Sequence, residues 1–133
     1  LIFVVFYNFN INITVLVLGV SLIFVYSVYS IDKFKDNYDE IDSSEIVIDE
    51  FVGQSIPILT IYKLIPNNNI DTFILYTLFS FFLFRIFDIT KPYPSNKVDK
   101  YMKNGFGVML DDVIAGIYSS IVLIAFILFV TYE

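Results

Sequence analysis

Residues 84–94 read FRIFDITKPYP, and in them an almost uncharged apolar segment ends in an arginine, an aspartate and a lysine. Proline lacks a backbone N–H and pushes the preceding residue into an extended conformation, so the two prolines predict that the helix stops here. Two carboxylate pairs occupy similar positions, Asp49 with Glu50 in IVIDEFVG and Asp111 with Asp112 in GFGVMLDDVIAG. Because each motif lies where a polar connector meets a hydrophobic run, we interpret the three motifs as one site.

The overall composition is typical of a membrane protein. The 133 residues are 57% hydrophobic and 19% aromatic, well above the average for a soluble domain. We therefore predict a single all-α domain over residues 1–133, a helical bundle with several transmembrane or membrane-embedded helices. The chain opens with Leu1 inside an apolar run, and we expect the amino-terminal part of the natural protein to be missing.

The apolar runs predict five main helices and one short surface helix. The first two main helices are predicted at residues 1–7 and 11–30, and the third from Ser43 or Ser44 onward with a kink near Pro57. The fourth is predicted at 72–89 after an Asp71 cap, and the fifth at 108–131 after a break at Gly105 and Gly107. The surface helix is predicted at 96–103. When the chain direction is followed through these helices, all three charged motifs face the same membrane surface. The lysines in residues 89–104 indicate that this surface is cytoplasmic.

The absence of two residue types limits the possible chemistry. The sequence has no cysteine and no histidine, which excludes thiolate nucleophiles, serine–histidine triads and the usual zinc sites within these residues. The clustered carboxylates that remain favour magnesium or calcium. A formal charge of −6 argues against nucleic-acid binding, which requires concentrated positive charge.

Five carboxylates and two cations make up the candidate site. The carboxylates, predicted to be metal ligands or a catalytic base, are Asp49, Glu50, Asp88, Asp111 and Asp112, and the cations, predicted to bind phosphate, are Arg85 and Lys91. A carboxylate in apolar surroundings is costly unless it is paired or bound to metal, so the excess negative charge predicts a divalent cation. An arginine fork would then suit the oxygens of a phosphate monoester.

Simpler structural explanations remain open for each motif. Arg85 and Asp88, three residues apart, suit an ion pair at a helix end, and acids in the first turn of the last helix would favour its dipole. Gly53 and Gly116 suit close helix packing better than a direct role in binding. The occurrence of three charged motifs on one side favours the functional interpretation.

The three motifs, IDEFVG at 48–53, FLFRIFDITKPYP at 82–94 and GFGVMLDDVIAGIY at 105–118, resemble the phosphatidylglycerophosphatase A family. The resemblance implies magnesium-dependent removal of the terminal phosphate from phosphatidylglycerophosphate, which gives phosphatidylglycerol in bacterial phospholipid synthesis. It further implies a multi-pass protein of the bacterial inner membrane whose site faces the cytoplasm. The family motifs fall on the same seven charged residues.

Two other functions compete with a lipid phosphatase. A phosphatidyltransferase of the CDP-alcohol type also uses intramembrane aspartates, although its longer Asp-Gly and Ala-Arg pattern does not occur in this sequence. A cation channel or transporter subunit could use the same five carboxylates as an ion site.

Overall fold

The computed structural model describes residues 2–34, 47–65 and 69–132, and these residues form six α-helices and no strand. In chain order the helices are α1 Ile2–Asn8, α2 Ile13–Phe34, α3 Ile48–Leu64, α4 Ile70–Thr90, α5 Ser95–Tyr101 and α6 Gly105–Tyr132. The prediction of an all-α bundle is therefore confirmed.

Three of the helices, α2, α4 and α6, are long and apolar enough to cross a membrane. A helix of 21 residues, as in α4, is ~32 Å long, which matches the hydrocarbon core of a bilayer. Large apolar side chains on these helices point away from the bundle, among them Leu22 and Phe129. We assign this outward surface to contact with lipid, because water would make such exposure costly.

The α3 helix packs closely against α6 through two glycines. A Cβ atom on Gly53 would lie 2.7 Å from the carbonyl oxygen of Asp112, and a Cβ atom on Gly116 would clash with the carbonyl oxygen of Gly53. Pro57 stands inside α3 and has no N–H to donate to the Gly53 carbonyl one turn earlier. The two backbones can approach this closely only because neither glycine carries a side chain, as the sequence indicated.

Aromatic side chains join α1 to the bundle at the end where α3 stops and α4 starts. The rings of Tyr7 and Phe73 stack with centroids 4.0 Å apart. The hydroxyl of Tyr62 donates to the carbonyl oxygens of Phe6 and Ile11 at 3.0 and 2.6 Å. These hydrogen bonds tie the Tyr62 side chain of α3 to the end of α1 and to the turn that follows it.

Two predicted helix caps have different outcomes. Asp71 is not the cap of α4, because the Asn69 side chain accepts a hydrogen bond from the Thr72 N–H at 3.3 Å and Asp71 lies in the first helical turn. The predicted caps of the third helix, Ser43 and Ser44, lie outside the described residues; within these, α3 begins at Ile48.

The start of α6 also differs from the prediction. The helix begins at Gly105, because the Asp32 carboxylate accepts a hydrogen bond from the Gly105 N–H at 2.7 Å and the Asn104 side chain accepts one from the Gly107 N–H at 2.8 Å. Glycine is tolerated in the first turn of α6 because these backbone N–H groups have hydrogen-bond partners. Asp111 and Asp112 consequently lie in the second turn, and the explanation that placed them in the first turn for the helix dipole is wrong.

The ends of α2 and α4 and the starts of α3 and α6 meet at one end of the bundle, which we call the charged end. Three contacts define it: Asp32 with Gly105, Glu50 with Arg85 and Lys91 with Asp111. The α4 helix stops at Thr90, and Lys91 takes a left-handed backbone conformation with φ of 40°. The predicted surface helix follows as α5.

Candidate active site

Arg85 connects α4 to α3. Its Nη1 donates to Glu50 Oε1 at 2.9 Å and to Asp88 Oδ2 at 3.3 Å, and its guanidinium lies 5.9 Å from the centroid of the Phe81 ring. The predicted pair with Asp88 is present, but the shorter bond goes to a different helix. Arg85 is thus more than a partner at the end of its own helix, and its side chain remains 41% exposed.

Lys91 lies at the turn after α4 and contacts two other helices. Its Nζ lies 2.7 Å from Asp111 Oδ2 on α6 and 2.9 Å from Asp99 Oδ1 on α5. Burial by itself lowers the pKa of Lys91, but the hydrogen bonds to Asp111 and Asp99 outweigh it and raise the pKa. The side chain therefore keeps its positive charge among the carboxylates.

Asp99 is a residue of the charged end that sequence reasoning missed. It belongs to no charged motif at a helix boundary, and eight positions across a proline turn separate it from Lys91, so helical spacing could not pair the two. The only available signal was its position among four lysines in residues 91–103 as the single acidic residue.

Three of the predicted carboxylates are buried, namely Asp49, Asp111 and Asp112. Asp49 Oδ1 accepts a hydrogen bond from the Glu50 N–H at 2.8 Å. Burial raises the pKa of Asp49 to about 6, and repulsion from Glu50 and Asp111 adds to the increase, while that backbone hydrogen bond partly opposes it. Asp49 on α3 and Asp111 and Asp112 on α6 thus place three buried carboxyl groups at the charged end.

Asp112 is the most enclosed of these acids, at 4% exposure. Its Oδ2 has no hydrogen-bond partner among the described residues. The carboxylates of Asp49, Asp88 and Asp111 repel its charge, and a side-chain hydrogen bond joins it to Asp88. A buried charge in such surroundings requires a positive counterpart, and both neighbouring cations already contact other acids.

The chemistry of the candidate ligands suits a hard divalent cation, because all are carboxylate oxygens. One of them, the buried Asp112 Oδ2, has no hydrogen-bond partner among the described residues. In the part of the chain that the structure describes, no three acidic side chains converge closely enough to hold a metal ion. Arg85 and Lys91 draw Glu50, Asp88 and Asp111 toward themselves. The structure thus places all seven predicted residues at the charged end, with Glu50, Asp88 and Asp111 paired to the two cations and Asp49 and Asp112 buried. Metal binding by these residues stays a prediction.

A second feature that the sequence did not indicate fixes the turn that carries Lys91. The hydroxyl of Tyr118 on α6 donates to the carbonyl oxygen of Tyr93 at 2.6 Å, and the Tyr118 ring lies 5.5 Å from that of Phe87. The turn is therefore tied to the helix that supplies Asp111.

Comparison with known proteins gives a consistent result. The family model for phosphatidylglycerophosphatase A matches residues 1–127. A protein of Bacteroides thetaiotaomicron, provisionally named phosphatidylinositol-3-phosphatase, is 42% identical over 96 residues, which cover 72% of this chain and 55% of that protein. Proteins named phosphatidylglycerophosphatase A from Haemophilus influenzae and Escherichia coli are 38% identical over 105 residues and 34% identical over 79 residues.

These two alignments cover 79% and 59% of this chain, and 60% and 41% of the relatives. The chain thus spans about half the length of the curated relatives that it matches. No solved structure matches it.

Proposed function

Because the chain belongs to the phosphatidylglycerophosphatase A family, we propose that it removes the terminal phosphate from phosphatidylglycerophosphate and so forms phosphatidylglycerol for phospholipid synthesis. The proposed place of action is the cytoplasmic face of a bacterial inner membrane. Four lysines in residues 91–103 at the charged end support that orientation by the positive-inside rule.

The observation that carries the proposal is the position of Arg85 and Lys91. Both cations stand at the end of α4, where Arg85 pairs with the half-exposed Glu50 of α3 and Lys91 pairs with the buried Asp111 of α6. An arginine fork matches two phosphoryl oxygens, and an ammonium adds a point charge. A lipid phosphate at the membrane surface would replace Glu50 and Asp88 as the partner of Arg85.

Magnesium is part of the proposal. Asp49, Asp111 and Asp112 would hold the ion, because they are the buried acids and Asp112 Oδ2 has no partner among the described residues. When bound, the ion would offset the negative charge of these acids and withdraw charge from the phosphoryl oxygens. Calcium also binds oxygen ligands, but phosphoryl transfer usually depends on magnesium.

In the proposed hydrolysis, the cations bind the phosphoryl group and a carboxylate orients the attacking water. Arg85 and Lys91 orient the phosphoryl group and stabilise the charge that develops on its oxygens. A water molecule oriented by a carboxylate attacks phosphorus, the bond to the lipid oxygen breaks, and the leaving oxygen takes a proton. The products are inorganic phosphate and a lipid alcohol, and no covalent enzyme intermediate is required.

A second substrate is supported by the Bacteroides thetaiotaomicron relative, whose name specifies phosphatidylinositol 3-phosphate as substrate. Both lipids are phosphomonoesters, so the same cations and carboxylates would serve either. The difference between them lies in the alcohol that carries the phosphate.

The test is phosphate release by the purified full-length protein in lipid–detergent micelles. Phosphatidylglycerophosphate and phosphatidylinositol 3-phosphate are each supplied with magnesium and with excess chelator. We expect release from the first lipid with magnesium, and none in chelator. If neither lipid is hydrolysed and liposomes containing the protein instead conduct cations, the proposal is wrong and the ion-transport function replaces it.

A further inference from the structure

A cleft of about 310 Å³ opens beside the candidate site, between the start of α1 and the facing sides of α3 and α4. Its walls are mainly apolar and include Ile2, Phe3, Phe51, Ile58, Phe81 and Phe84. Four polar side chains, those of Glu50, Gln54, Ser55 and Arg85, also line it. The cleft therefore has both charged and apolar lining.

The ion pair of the site is accessible at this cleft. Arg85 and Glu50 line it, and their side chains are 41% and 42% exposed, whereas Asp49 and Asp112 on the inner side are buried. An anion that approaches Arg85 through the cleft would meet the exposed side of the guanidinium. The Phe81 ring, which contacts that guanidinium, continues the wall away from the charge.

The cleft extends from the charged end into the depth of the membrane. Glu50 and Ile58 are eight residues apart on α3, which corresponds to ~12 Å along the helix axis. Arg85 lies near the end of α4, and Phe81 precedes it by about one turn toward the membrane interior. An occupant must therefore combine an anionic group at the charged end with an apolar portion along the wall.

Gln54 adds a polar contact between these two regions. Its Nε2 donates to Ser80 Oγ at 3.2 Å, while its Oε1 is buried and has no partner among the described residues. It stands one turn from Glu50 and one turn from Ile58. A hydroxyl on a lipid head group could donate to this oxygen, which a purely apolar occupant could not do.

We propose that this cleft holds one acyl chain of the lipid substrate, with the anionic head group at Arg85. The inference rests on the proposed function for the identity of the head group. It adds that the enzyme takes its substrate sideways from the bilayer, between α3 and α4, and that hydrolysis depends on the acyl chain as well as on the phosphate.

The test uses the full-length protein and a lipid phosphomonoester with a photoreactive group in one acyl chain. We expect saturable labelling of cleft residues that unlabelled lipid phosphomonoester prevents and the same lipid without its phosphate does not. Ile58→Trp fills the buried part of the cleft, and Ile2→Trp fills its half-exposed rim without disturbing the core. Leu22→Trp on the outer side of α2 is the matched control.

Both cleft variants should lose the saturable labelling, and kcat/KM for the long-chain lipid should fall by about tenfold, as when an apolar subsite is filled. Activity on a soluble short-chain phosphomonoester and the melting temperature of Ile2→Trp should stay unchanged. Saturable labelling without hydrolysis would refute the proposed function and keep the cleft as a lipid site. Labelling that is equal in all variants, or crosslinking of cleft residues to a segment outside residues 1–133, would overturn the inference.

Discussion

The guanidinium of Arg85 could offer a phosphate two parallel N–H donors, a geometry that a lysine cannot reproduce. We predict that Arg85→Lys lowers turnover by ~100-fold, as loss of one oxyanion donor does, because the charge remains while the bidentate contact is lost. The melting temperature should change little, since a half-exposed ion pair contributes less than about 1 kcal/mol. Turnover and thermal unfolding are measured on the same preparation.

The control for this substitution is Lys97→Gln at the same end of the bundle, where the ammonium lies over the Tyr93 ring and contacts no carboxylate of the site. It should keep normal turnover. An Arg85→Lys protein with normal turnover would remove Arg85 from the catalytic machinery and leave it a structural partner of Glu50 and Asp88.

Asp112 is expected to oppose folding and support activity. In excess chelator, Asp112→Asn should raise the free energy of unfolding by ~1 kcal/mol, because burial and the neighbouring carboxylates oppose a negative charge at this position and asparagine carries none. Turnover with magnesium should be lost. Asp71→Asn, at an exposed position in the first turn of α4, should show neither change. A destabilised Asp112→Asn protein in chelator would show that the charge is already compensated without metal.

The contact between the helices α3 and α6 depends on two glycines, Gly53 and Gly116, which carry no side chain. Gly53→Ala should destabilise the bundle by about 1–3 kcal/mol, because the added methyl group meets the backbone carbonyl of Asp112. Gly19→Ala on α2 is the matched control, since its added Cβ has no atom within 4 Å, and it should be neutral or stabilising by up to about 1 kcal/mol. Equal melting temperatures for the two variants would contradict the close crossing.

The order and type of the helices could be predicted because long apolar runs have few alternatives in a membrane. The starts of α4 and α6 could not be predicted from the sequence. Asn69 replaces Asp71 as a cap, and Asp32 satisfies the first donor of α6 from another helix, a contact over 73 positions that no local pattern reports. The grouping of the seven charged residues at one end of the bundle could be predicted from charge in apolar context, whereas the contacts of Asp99 and Tyr118 depend on the tertiary structure.

For the whole molecule, magnesium should affect stability as well as rate. A ligand that binds only the folded protein raises its melting temperature in proportion to the logarithm of its concentration. We predict such a rise for magnesium, together with loss of activity in chelator and no effect of thiol reagents on these cysteine-free residues. Full activity in chelator would exclude the metal from the mechanism.

The orientation of the bundle can be measured with introduced cysteines. Asn96→Cys on α5 at the charged end should react with a membrane-impermeant reagent only from the cytoplasmic side of sealed vesicles. Asn69→Cys at the start of α4 should react only from the opposite side, because α4, which is long and apolar enough to cross a membrane, lies between these positions. Labelling of both from one side would refute the assigned topology.

The left-handed backbone at Lys91 has an evolutionary consequence. Glycine is the residue that normally follows a helix in this conformation, and any other residue costs roughly 1 kcal/mol there. In any relative that no longer needs the charge, selection for stability would therefore favour glycine or asparagine at this position. The residue found at position 91 should thus separate relatives that still act on phosphate from those that keep only the helical framework.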